Sequence, residues 1–194
     1  MIPDNLIKHW KRCELVIFGG SAGAFKILFK AVSILQPSLG KSIVIVMHRK
    51  KNYVSEIEKM FSLNSQLPLK EISDKDRIER NAIYIAPANY HALIEKNGCF
   101  GLDVSDALWY SKPSIDITFE SAADVYKGQC AAILLSGANP DGARGMLKIK
   151  QAGGLTIAQD PAEAELAEMP QAAVDIDAAM FILKTEAIFE LLVS

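Results

Sequence analysis

Leu15-Val16-Ile17-Phe18-Gly19-Gly20-Ser21-Ala22-Gly23 decides the fold: an apolar run, a glycine-rich turn around a serine, then a helix-like stretch from Ala24. A strand, a sharp corner and a helix start present the Ser21 hydroxyl outward, and Gly19–Gly23 satisfies the G-x-S-x-G pattern of a nucleophile turn. The same local geometry suits phosphate, because the first N–H groups of a helix lack backbone partners. By itself the turn leaves both chemistries open.

Outward from this turn, short apolar runs alternate with amphipathic stretches. The pattern predicts strands at Leu15–Phe18, Ile43–Met47, Leu69–Ile72, Ala82–Ala86, Cys130–Ser136, Leu155–Gln159 and Met180–Leu183. It predicts helices near Ala24–Leu35, Ser55–Phe61, Ser114–Tyr126, Gly142–Gln151 and Thr185–Leu192. Continuous runs such as Ile43-Val44-Ile45-Val46-Met47 read as strands buried on both faces. Strands alternating with helices require crossover connections. The fold class is therefore α/β: a doubly wound, mostly parallel sheet with helices on both faces. One segment breaks the rhythm. His91–Lys96 and Cys99–Val104 flank Asn97-Gly98, which predicts an inserted antiparallel hairpin closed by a type I′ turn. Residues 1–12 read as an N-terminal arm ahead of a catalytic domain over 13–194.

The bulk composition narrows the function classes. The chain has 194 residues, enough for one domain with a real core, and is 50% hydrophobic and 23% charged. A net charge of −2 gives no broad basic face for nucleic acid. The longest apolar runs are far too short to cross a bilayer, and the first residues lack a signal-peptide core. Cys13, Cys99 and Cys130 form no C-x-x-C pair, so no zinc site or disulfide framework is expected and no cofactor is implied. A cytoplasmic location is the expectation.

In an open parallel sheet, ligands sit beyond the carboxyl ends of the strands. Ser21 follows the first strand there, His48 follows Ile43–Met47, and Asp141 lies a short turn beyond Cys130–Ser136. One topology thus sends a hydroxyl, an imidazole and a carboxylate to one rim. A serine needs a base, histidine titrates near neutrality, and a carboxylate fixes the imidazole tautomer. The amides of Ala22, Gly23 and Ala138 are candidate oxyanion donors. Each residue alone has a plainer role: Ser21 as a turn or cap serine, His48 as a polar strand end, Asp141 as a turn aspartate. His91 is a candidate for the pocket wall, and Arg49 in Arg49-Lys50-Lys51 for contact with an acidic partner. The order Ser, His, Asp differs from those of α/β-hydrolases, chymotrypsin-like enzymes and subtilisins.

These residues together resemble the catalytic domain of the chemotaxis protein-glutamate methylesterase family, from about Glu14 to the C-terminus. Gly19–Gly23 is similar to its nucleophile turn, and Val46-Met47-His48 to its histidine-bearing strand end. Tyr84-Ile85-Ala86-Pro87 with His91, Pro113-Ser114-Ile115-Asp116, the Ser136–Ala143 loop, Gln151-Ala152-Gly153-Gly154 and Met169-Pro170 follow in the family's order. The resemblance implies hydrolysis of glutamyl methyl esters on chemoreceptor helices, with deamidation of glutamines in some members. It implies Ser21 as nucleophile, His48 as base and acid, Asp141 as orienting carboxylate and the Ala138 amide as oxyanion donor. Lys112 stands where arginine is common, making it a substrate-contact candidate; lysine lacks arginine's planar fork. Many members carry a receiver domain, which needs about 100 residues. Only a short arm precedes the first strand here, which leaves three expectations open: constitutive activity, a regulatory partner in place of the receiver, or a module cut from a larger protein. Two other readings compete: a Rossmann-like nucleotide- or phosphate-binding module and a catalytically silent signalling adaptor.

Overall fold

The strands follow the apolar runs closely. In the computed structural model, which describes residues 2–48 and 54–194, they are β1 (Leu15–Gly20), β2 (Ser42–Met47), β3 (Leu69–Glu71), β4 (Ile83–Ile85), β5 (His91–Ile94), β6 (Phe100–Asp103), β7 (Cys130–Leu134), β8 (Leu155–Gln159) and β9 (Phe181–Leu183). Seven form one sheet in the order β3-β4-β2-β1-β7-β8-β9, with every neighbouring pair parallel. The strand order reverses between β1 and β7, so the crevice for a ligand opens beside the end of β1.

The helices are α1 (Asp4–Arg12), α2 (Phe25–Ile34), α3 (Val54–Asn64), α4 (Ile115–Tyr126), α5 (Ala143–Gln151), α6 (Glu168–Asp175) and α7 (Thr185–Leu192). Alternation along each strand divides the core into two layers. Val16 and Phe18 of β1, with Ile43 and Ile45 of β2, face a cluster built from α1, α2, α3 and α7, including Trp10, Leu28, Phe61 and Leu191. Leu15, Ile17, Val44 and Val46 face the other cluster, with Phe100 of the hairpin and Phe119, Met146 and Met169 of α4, α5 and α6.

Two local expectations are corrected. The stretch read as an arm is largely α1, whose Leu6 and Trp10 are fully buried in the first cluster. Its carboxyl end is held from outside: the buried Lys41 ammonium donates to Trp10 O at 2.9 Å and Cys13 O at 2.6 Å. That is where a helix leaves unpaired carbonyls. The second correction concerns the hairpin. It pairs antiparallel as expected, but Gly98 N–H donates to Glu95 O at 3.0 Å, so Lys96 and Asn97 are the central residues of the turn. Gly98 alone among them is left-handed, at φ +78°, the mark of a turn followed by a bulge rather than type I′. A further helix, α6, is absent from the helices expected above; it begins at the exposed Glu168 and buries Met169 and Ala173.

Candidate functional site

Ser21, His48 and Asp141 leave three adjacent strands at their carboxyl ends. Gly20 of β1 pairs with Met47 of β2, and His48 N–H donates to Gly20 O at 3.1 Å. Ser21 and His48 therefore step off neighbouring strands at the same level. On the other side, Ser21 N–H donates to Ser136 O at 2.9 Å, tying the serine to the loop beyond β7.

His48 and Asp141 are in direct contact. The Nε2 of His48 lies 2.7 Å from Asp141 Oδ2, with the imidazole 10% exposed and the carboxylate wholly buried. The other oxygen contacts explain how a buried carboxylate is tolerated. Asp141 Oδ1 accepts from the Ser114 hydroxyl at 2.9 Å and from Asp116 N–H at 2.9 Å. Oδ2 also accepts from Ile115 N–H at 2.8 Å. Ser114 is the N-cap of α4 and Ile115 its first residue. The carboxylate thus sits on a helix N-terminus, where unpaired amides and the helix dipole favour negative charge. Because Nε2 holds Asp141, Nδ1 is the imidazole nitrogen left for a serine. Ser21 is half-buried on the rim. Among the described residues, the imidazole's hydrogen bond is the one to Asp141.

Two of the candidate oxyanion donors follow Ser21 directly in the chain. Ala22 and Gly23 open a 3-10 turn, Ala22–Ala24, ahead of α2, so their N–H groups precede any acceptor within the helix. Gly23 is needed there, because a Cβ would run into the Ser136 side chain and come within 3.1 Å of Glu165 Cβ. Ala138 is exposed on the Ser136–Asp141 loop.

The expected contact residues divide. His91, expected on the pocket wall, is fully buried, with its Nδ1 accepting from Ser114 N–H at 3.0 Å and its Nε2–H donating to Asp106 O at 3.0 Å. It supports the start of α4 rather than facing an open cleft. Lys112 donates to Val104 O at 2.9 Å and closes the exposed 104–112 loop at its base. Arg49 lies outside the described residues. Among the described residues, no group of three or more His, Cys, Asp or Glu side chains is placed to hold a metal, and no helix is long and apolar enough to cross a membrane.

Sequence reading singled out the Pro113-Ser114-Ile115-Asp116 segment without giving its side chains a part in the site. Ser114 and Asp116 both touch Asp141 or its hydrogen-bonding neighbours. Only a serine at an N-cap position marked this in the sequence.

Comparisons with known proteins agree on the family. Residues 16–192 match the family model described as CheB methylesterase. A Leptospira interrogans protein that carries the name protein-glutamate methylesterase/protein-glutamine glutaminase provisionally is 37% identical over 180 residues, covering 93% of each chain. A Pseudomonas aeruginosa protein named protein-glutamate methylesterase/protein-glutamine glutaminase 3 is 33% identical over 177 residues, spanning 91% of this chain and 53% of its own. The crystal structure of the Thermotoga maritima CheB methylesterase catalytic domain superposes with a TM-score of 0.88 at 29% identity, covering 93% of this chain and 97% of that one.

Proposed function

Because the chain belongs to the CheB methylesterase family, we propose that it hydrolyses glutamyl methyl esters on a protein substrate through an acyl-enzyme at Ser21. The observation that carries this reading is the 2.7 Å contact of His48 Nε2 with a buried Asp141, one strand from Ser21.

The Ser21 hydroxyl attacks the ester carbonyl carbon while its proton passes to His48 Nδ1. The oxyanion that forms is met by N–H groups from Ala22, Gly23 and Ala138. Collapse breaks the bond to the methoxy oxygen, which leaves as methanol with the proton from the imidazolium. Water then attacks the acyl-enzyme with His48 again as base, releasing the glutamate side chain and restoring the serine. Asp141 orients the imidazole throughout and stabilises the imidazolium. An amide in place of the ester follows the same course and releases ammonia, the glutaminase activity that the relatives' names carry.

The partner proposed is a methylated chemoreceptor helix in the cytoplasm, with control by a separate regulatory protein. Residues 13–194 are the proposed catalytic unit, with α1 packed against it. The test is labelling with a fluorophosphonate and mass mapping of the adduct, alongside methanol release from methylated receptor. An adduct on Ser21 and methanol release, both lost in Ser21→Ala, support the esterase. Binding of receptor with no adduct and no methanol favours a silent adaptor. NADP binding without labelling favours a nucleotide-binding module.

A further inference from the structure

The two helices beside the site are tied by a crossed exchange of carboxylates. Asp141 stands just before α5, yet its oxygens take N–H groups from Ile115 and Asp116 at the start of α4. Asp116 belongs to the first turn of α4, yet its Oδ1 takes the N–H of Gly145 in the first turn of α5, at 2.8 Å. Each aspartate satisfies amides of the other's helix, which a helix start otherwise leaves unpaired.

The exchange needs close approach, and two glycines permit it. A Cβ on Gly145 would lie 2.7 Å from Asp116 O and 2.6 Å from Phe119 Cβ. A Cβ on Gly142 would lie 2.7 Å from the Ile115 side chain, and its φ of +95° is left-handed. The second oxygen of Asp116 accepts from Trp109 Nε1 at 3.3 Å. Asp116 is 2% exposed, so a carboxylate has been buried two residues from the Ser114 helix cap that holds Asp141. Burial raises its pKa, the Gly145 N–H lowers it, and the charge of Asp141 raises it further.

A salt bridge to a base or a wholly apolar contact also joins two helices. Neither fixes the rotation of one helix start against the other as two opposed hydrogen-bond sets do. We propose that Asp116 is a positioning residue: by clamping the first turn of α5 to the first turn of α4, it holds the Asp141 carboxylate at the height where His48 Nε2 meets it. The inference rests on the triad reading given above. Its consequence is kinetic, because a misplacement near 1 Å at the reacting groups costs on the order of 10²-fold in rate.

The experiment compares Asp116→Asn and Asp116→Ala in the full chain, by fluorophosphonate labelling rate and by kcat and KM on a peptide bearing a glutamyl methyl ester. Thermal midpoints are measured for both variants, with Ser21→Ala as reference. Asn keeps an acceptor for Gly145 N–H, so kcat should fall several-fold; Ala should lower it about 30-fold or more. KM should stay within about twofold in both, as for a group that touches no substrate. A folded Asp116→Ala with wild-type kcat overturns the inference, and so does an Asp116→Asn that unfolds, because the residue is then structural alone. If Ser21→Ala is labelled and turns over normally, the triad reading fails instead, and the two failures are told apart.

Discussion

His91 and Asp141 share one residue, Ser114, from opposite sides: its N–H donates to His91 Nδ1 at 3.0 Å and its hydroxyl to Asp141 Oδ1 at 2.9 Å. A buried imidazole thus sets the cap that in turn sets the carboxylate, and both lie behind the His48 contact. The residues that orient Asp141 come from the hairpin and from α4, far from it in sequence.

Ser114→Ala removes the hydroxyl from Asp141 and from the cap, where it also accepts from Ile117 N–H at 3.4 Å. The expected cost is about 1 kcal/mol of stability, with a fall in kcat/KM several times larger than any change in KM. Denaturant unfolding and steady-state kinetics on the same preparation check both parts.

Asp141→Asn should be worse than an ordinary isosteric change. Oδ1 and Oδ2 each take two donors, from Ser114 and Asp116 and from His48 and Ile115. A carboxamide presents an NH₂ to one of those pairs, so donors face donors at a cost of about 1–3 kcal/mol. Turnover should drop by roughly 10³–10⁴, the scale for a lost orienting carboxylate. Ester hydrolysis followed by stopped assay reads the rate, and binding of a methylated peptide should be nearly unchanged.

Gly145→Ala is expected to destabilise by about 1–3 kcal/mol, as forced overpacking does, because the new methyl would meet Asp116 backbone and the start of the Phe119 side chain rather than a flexible end. Gly98→Ala, with no atom near its Cβ but a φ of +78°, should cost about 1 kcal/mol from backbone strain alone. Chemical denaturation of the two variants separates crowding from conformation.

The three thiols should react unequally. Cys99 is partly exposed while Cys13 and Cys130 are buried. Burial pushes the Cys13 thiol up to about 11, against the pull of Lys41, and raises Cys130 further still. A colourimetric thiol reagent near pH 8 should therefore count one fast cysteine in the folded protein and three after unfolding. The linkage has a sign. Folding favours the protonated Cys13, so its stabilising share is whole below pH 9.0, the ordinary value of the exposed thiol in the unfolded chain, and is lost as pH rises toward about 11. Cys13→Ala should flatten that part of the thermal-midpoint profile.

Sequence alone determined the sheet and its rim. Buried parallel strands need unbroken apolar runs, and Leu15–Phe18, Ile43–Met47 and Leu155–Gln159 carry that signal in their own residues. Because successive strands in such a sheet end on one side, Ser21, His48 and Asp141 could be assigned to one edge from spacing. The packing of α1 was hidden, since Leu6 and Trp10 are two apolar residues in a charged stretch and become core only as part of the first cluster. The roles of Asp116, Gly145 and His91 were hidden for a related reason. Their roles consist of hydrogen bonds between segments separated by 23 to 29 residues, and such partners are chosen by the approach of two helix starts, which leaves no periodic trace along the chain. Tertiary structure decided which imidazole nitrogen meets the carboxylate and which amides neutralise it, because only closure of the sheet brings α4 against α5.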